Sequence, residues 1–264
     1  MITEQDTLQS AAMDYRAAGL CVLPAIRTQK RPAIGRWKQY QTRLPTEAEL
    51  SAWMANSPDA VCVLCGKASR NGEIIDFDGG GELFAAWWER IPEELRSRLV
   101  IEHTPSGGYH VWYLCNVEIC GNLKLAQRKI DGKVKTLIET RGEGGLFLCA
   151  PTAGYRLLQG DIARPPVLTA DERDILLQAA WDLNEYMPPV VNGPPLSANV
   201  GQTGSLSDGQ RQISADNSDN GKSLPTSAEP AHPPSPVGYG DACRPGDDFN
   251  TRGDVRAVLQ KHGW

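Results

Sequence analysis

Residues 72–81 read GEIIDFDGGG. A short apolar run ends in two aspartates one residue apart, and three glycines follow. In a β-strand, residues two apart share a face. A strand over residues 73–77 therefore sends Asp76 and Asp78 to one side, about 7 Å apart at their backbones. Phe77 turns the other way, into the core. Two carboxylates on one face repel, and their desolvation is unfavourable unless a cation joins them. A hard divalent ion such as Mg²⁺ meets that need with oxygen ligands and keeps room for phosphates. The glycines leave little side-chain bulk, so a ligand can approach the backbone. The plainer reading is a strand end with two solvated acids and a glycine-rich turn.

Neighbouring segments bear on that choice. In HTPSGGYHVWYL (103–114), His110 opens an apolar strand after a Ser-Gly-Gly turn. Ser106 and the N–H groups of the turn can form an anion cradle, and His110 can donate to a phosphate. A structural histidine on a hairpin is the alternative. In KTLIETRGEGGLFLCAPT (135–152), Glu139 ends another apolar strand and Arg141 lies two residues on, on the same side. Glu139 would complete a cage of three carboxylates, and Arg141 can hold a phosphate or pair with the acids. An ordinary surface ion pair is the alternative.

Basic residues gather near these segments. Arg27, Lys30, Arg31, Arg36, Lys38 and Arg43 run with no intervening acid, and Trp37 and Tyr40 among them can stack on a base. Lys124, Arg128, Lys129, Lys133, Lys135 and Arg141 form a second run, against Asp131 and Glu139. Local positive arms suit a polyphosphate or a nucleic-acid backbone. A solvated basic loop is the bland alternative.

The whole chain has 264 residues, 41% of them hydrophobic, and a net charge of −5. Such a balance excludes a protein that coats nucleic acid by global charge. No apolar run is long enough to span a bilayer and the first residues lack signal-peptide character, so a cytoplasmic protein without membrane contact is expected. Seven cysteines, most inside apolar runs, argue against a disulfide framework. A zinc site from Cys62, Cys65, Cys115 and Cys120 is the tempting alternative. In a strand over 60–65, however, positions three apart face opposite sides, so these are read as core cysteines.

Helix and strand signals alternate over residues 1–187 and predict one α+β, mixed-sheet domain. Helices are expected at 3–18, from the Thr46-x-x-Glu49 capping box through Trp53, at 83–90 and at 171–186. Strands are expected at 20–24, 60–64, 73–77, 100–103 and 109–114, with 135–139 and 146–149 as a further pair. Residues 188–246, rich in Pro, Gly and Ser, read as a disordered linker. Residues 247–264 read as a short helical tail, the first piece of a further module or a docking peptide.

Taken together, the segments AAGLCVLPAI, KRPAIGRW, IIDFDGG, TPSGGYHVWY and LIETRGEGGLFLCAPTAGYR resemble the bifunctional primase/polymerase N-terminal domain of the archaeo-eukaryotic primase superfamily, of phage and plasmid type. The resemblance runs from about Tyr15 to Arg156 and rests on three motifs in order. It implies a primase-like core with an RRM-like sheet and a template-dependent DNA primase/polymerase using Mg²⁺ or Mn²⁺. Asp76, Asp78 and Glu139 would be catalytic and hold the metals. His110, Ser106, Arg141 and Lys30 would bind the nucleotide. A single-stranded DNA template, NTP or dNTP and a replicative helicase would be the partners. The third acid is Glu where Asp is common, and the turn reads Ala-Pro-Thr where Pro-Pro-Ser is frequent. No helicase follows, and the tail resembles the segment that bridges to one, as in a truncated replication protein. A non-catalytic nucleic-acid-binding module that recruits a helicase through the tail is the rival, and a metal-dependent phosphohydrolase a third reading.

Overall fold

The computed structural model describes residues 3–187. The expected linker (188–246) and helical tail (247–264) lie outside the described residues. In chain order the elements are α1 (Glu4–Ala17), β1 (Cys21–Ile26), β2 (Arg31–Pro32), α2 (Glu47–Met54), β3 (Ala60–Leu64), β4 (Gly72–Phe77), α3 (Phe84–Trp88) and α4 (Glu93–Arg96). There follow β5 (Val100–His103), β6 (Tyr109–Cys115), β7 (Lys124–Ile130), β8 (Lys133–Arg141), β9 (Leu146–Leu148), β10 (Arg156–Gln159), β11 (Val167–Leu168) and α5 (Ala170–Trp181).

The longer helices start where local chemistry dictates. Thr3, Thr46 and Thr169 each accept a hydrogen bond from the backbone three residues on, and Asp6, Glu49 and Glu172 reciprocate. These are capping boxes, which satisfy the free N–H groups of a first turn. α1 then buries Leu8, Ala12 and Tyr15, spaced as one helical face.

The fold is α+β. A four-stranded antiparallel sheet has the order β2-β1-β3-β9. A larger sheet has the order β10-β5-β6-β4-β8-β7, with β11 pairing parallel to the end of β6. Within it β4 and β5, joined through α3 and α4, flank the antiparallel β6 as a split β-α-β unit. With β8 on the far side of β4, the inner order β5-β6-β4-β8 is the expected RRM-like arrangement.

Strand alternation sorts the larger sheet into two faces. Ile75 and Phe77 of β4, and Val111 and Tyr113 of β6, face one apolar cluster with Trp87 of α3, Leu95 of α4 and Leu176 of α5. Ile74, Trp112 and Leu114 face a second cluster with α1, α2 and Val61 and Val63 of β3. A third cluster lies on the other side of the small sheet and holds Cys62, Tyr40 and Leu148. Cys62 and Cys65 thus belong to different clusters, in line with the core-cysteine reading.

Three expectations require correction. Residues 146–149 do not pair with 135–139: β8 pairs with β4 and β7, whereas β9 crosses to the small sheet and pairs with β3. The connection is turned by positive-φ Gly144, and the Cys120 carbonyl and Asn122 side chain bind the N–H groups of Glu143 and Gly142. The last helix stops at Trp181 rather than Tyr186. Asn184 and Glu185 are used instead on the open edge of β7, where they bond the backbone of Gln127. Tyr40 is not free to stack on a base: it is 3% exposed, donates to Glu49 and packs edge-on against Trp53.

One buried ion pair ties the helical layer to the sheet. Arg173 of α5 donates to both carboxylate oxygens of Glu73 at 2.6 and 2.9 Å, and the Tyr113 hydroxyl donates to Glu73 at 2.9 Å. Arg173→Met leaves the buried Glu73 carboxyl without its counter-charge. It should cost about 3–5 kcal/mol, checked by urea denaturation, and Glu73→Leu on that background should recover much of the loss.

Candidate active site

The site follows from register. Asp76 lies opposite His110 on one side and Glu139 on the other. His110 in turn lies opposite Glu102, and Glu139 opposite Lys124. Residues directly opposite one another point to the same face. Glu102, His110, Asp76, Glu139 and Lys124 therefore form one row across five strands, on the face opposite the cluster that holds α3, α4 and α5. Asp78 follows Asp76 on the same side and Arg141 follows Glu139.

A cleft of about 380 Å³ opens over this row, between the two sheets. Asp76, Asp78, His110, Ser106, Arg141 and Lys30 all line it. Ligand oxygens of Asp76, Asp78 and Glu139 lie within 4.8 Å of one another, the group among the described residues suited to a metal ion. The donor set is all oxygen, as a hard divalent cation requires. The seven candidate residues are thus brought together, Lys30 from the β1–β2 connection and the others from strands and turns of the larger sheet.

The charges are imbalanced. Burial and the Asp76 charge hold the Asp78 carboxyl above its usual range, against the pull of Lys30, Arg141 and His110. Burial likewise raises Glu139, opposed by Arg141 and Lys124 and reinforced by Asp76 and Asp78. Arg141 bonds Glu139 and lies 3.6 Å from Asp76, so it is the principal counter-charge within the cluster.

Sequence reasoning missed several participants. Glu102 is 1% exposed and binds His110 Nδ1 at 3.0 Å, while its other oxygen accepts the Ala150 N–H. That leaves His110 Nε2 toward Asp76, at 3.7 Å. The available signal was an acid at an inward position of an apolar strand, two residues after Val100. The tight turn between β5 and β6 sets 102 against 110. Thr104, Asn122 and Tyr155 also line the cleft. Burial, with Glu102 and Asp76 nearby, pushes the Tyr155 phenol up to about 12, so it remains a protonated donor.

Two details differ from expectation. Gly79, Gly80 and Gly81 all have positive φ, and a Cβ on Gly81 would lie 2.6 Å from the Tyr109 ring. They shape the turn, and the glycines that line the cleft are Gly144 and Gly145. In the β5–β6 turn, the Gly107 N–H is spent on the Thr104 carbonyl, and Ser106 faces the cleft beside the Thr104 hydroxyl at 3.1 Å.

The raised carboxyls set a pH dependence. An acid whose pKa is higher folded than unfolded favours the fold when protonated, and that contribution is lost as pH rises through the folded pKa. Mn²⁺ needs the ionised acids, so it should raise the melting temperature more at about pH 7.5 than at about pH 5. Asp78→Asn should abolish the metal response and raise the melting temperature of the metal-free protein at about pH 7.5; scanning fluorimetry checks both.

No curated protein matches the chain as a relative. The family model described as bifunctional DNA primase/polymerase, N-terminal, matches residues 12–169, a span that holds both sheets and every residue of the cleft. With the acidic row, the histidine opposite it and this match agreeing over one stretch of chain, the protein belongs to the bifunctional DNA primase/polymerase N-terminal family.

Proposed function

We propose that this protein is a template-dependent DNA primase/polymerase of phage, prophage or plasmid replication. Residues 1–187 are its catalytic domain. The family carries nucleotidyltransferase chemistry, with nucleotides and nucleic acid as substrates. The observation that carries the finer reading is the register of Asp76 between His110 and Glu139, with Asp78 beside it over an open cleft. In the reaction a 3′-oxygen attacks the α-phosphorus of the incoming nucleotide, and the bond to pyrophosphate breaks.

Asp76, Asp78 and Glu139 would hold Mg²⁺ or Mn²⁺. Bound there, divalent ions supply Lewis acidity to a 3′-hydroxyl and charge neutralisation to a triphosphate. The chain's own residues do the rest. His110, with Nδ1 tied to Glu102, presents Nε2 as a donor to a phosphate oxygen. Ser106 adds a hydroxyl, and Lys30 and Arg141 add positive charge from the two sides of the cleft. Arg141 exchanges carboxylate partners for phosphate as the nucleotide arrives. Catalysis is then mostly placement and fixed charge.

Primer extension on a single-stranded template tests this. Asp76→Ala and Asp78→Ala should each lower the metal-dependent rate by about a thousandfold or more while circular dichroism stays at the parent's. No extension by the folded parent would favour the binding-module reading, and template-free release of phosphate the hydrolase.

Glu102 is assigned as the positioning residue of His110. Glu102→Gln keeps the shape but removes the charge that holds the Nδ1 proton. It should raise the nucleotide KM about tenfold, the size seen when a histidine loses its orienting partner. Affinity for the template should stay unchanged, which separates positioning from general damage.

A further inference from the structure

We propose that the Tyr155 hydroxyl donates to the phosphates that leave as pyrophosphate, and so selects triphosphates over monophosphates. This rests on the polymerase reading above and gives one end of the nucleotide its place in the cleft.

Tyr155 carries a buried polar atom without a partner inside the protein. The residue is 9% exposed, and its hydroxyl makes no hydrogen bond among the described residues. The other three buried tyrosines among those residues differ. Tyr15 donates to the Ala150 carbonyl at 2.7 Å, Tyr40 to Glu49 at 2.8 Å and Tyr113 to Glu73 at 2.9 Å. A buried hydroxyl left unbonded is unfavourable, and native interiors avoid it. Tyr155 lines the cleft, which is where its partner can enter.

The nearby acids do not take that role. Burial, followed by the charges of Glu102 and Asp76, keeps the phenol protonated. The Glu102 oxygens are already used by His110 and the Ala150 N–H. A protonated phenol therefore stands beside the acids and donates to neither. Its proton is left for an incoming acceptor.

Position indicates which acceptor. Tyr155 immediately precedes β10, whose Arg156 pairs with His103 of β5. Its ring lies 5.8 Å from the His110 ring, tilted by 31°. In the sheet order, Tyr155, Ser106 and His110 come from the β10, β5 and β6 side, and Asp76, Asp78 and Glu139 from the β4 and β8 side. The Thr104 and Ser106 hydroxyls share one hydrogen bond, so one O–H of that pair also remains to donate. A ligand that meets metal-holding carboxylates at one end and several donors at the other carries oxygens along its length, as a triphosphate does. The α-phosphate belongs near the acids, where the bond is made. The β- and γ-phosphates then extend toward Tyr155.

Tyr155→Phe removes one oxygen and keeps the ring beside His110. In primer extension with Mg²⁺ it should raise the nucleotide KM about tenfold, the size of one hydrogen bond to a charged group, with kcat within about twofold of the parent. Inhibition by inorganic pyrophosphate should weaken by the same factor, and inhibition by dTMP should not change. The melting temperature of the metal-free variant should hold or rise, because no internal bond is lost. Parent KM and parent pyrophosphate inhibition in the variant would overturn the Tyr155 assignment alone. So would an equal weakening of dTMP inhibition, or a clear fall in melting temperature, which would mean that the hydroxyl is bonded within the protein. A folded parent that extends no primer would overturn the polymerase reading, and this assignment with it.

Discussion

The two-residue alternation of β4 is the constraint on which the site depends. Ile75 and Phe77 are driven into an apolar layer with Trp87, and this forces Asp76 to the opposite face. A one-residue slip would turn Asp76 into the aromatic layer and send Ile75 and Phe77 to the cleft face. Strands β6 and β8 are held to β4 by backbone ladders, so their own alternation brings His110 and Glu139 to the same place. Core packing and site geometry are here one fact seen from two sides.

The two faces handle charge differently. On the helical face, Glu73 is closed in by Arg173 and Tyr113, with each oxygen bonded and no water-sized opening required. Such a pair gives register between α5 and the sheet more than net stability. On the cleft face the acids outnumber their partners, and burial raises Asp78 and Glu139. A fold optimised for stability would not keep that cluster. Local departures of this kind are expected where function is placed.

The Arg141 guanidinium and the Glu102–His110 contact show how an acidic pocket stays folded without closing. Arg141 offsets Asp76 and Glu139 from a strand that also carries Glu139, so charge and counter-charge share a backbone. Glu102 is satisfied by the Ala150 N–H and by the imidazole, which fixes the ring without filling the cleft.

Much of this was legible in the sequence, because period-two alternation and capping are local. The capping box at Thr46, the strands around 60–64 and 73–77, and the shared face of Asp76 and Asp78 need only neighbouring residues. The tertiary structure alone decided what depends on long-range pairing. It set Glu102 behind His110, sent β9 to the small sheet, and spent Tyr40 on Glu49. It also ended α5 early, so that Asn184 and Glu185 could cover the edge of β7. None of these can be read from a window of sequence, because a backbone edge or a buried carboxylate takes its partner from wherever the chain returns. Sequence determined which residues could face one another across a strand; only the closed sheet decided which of them meet.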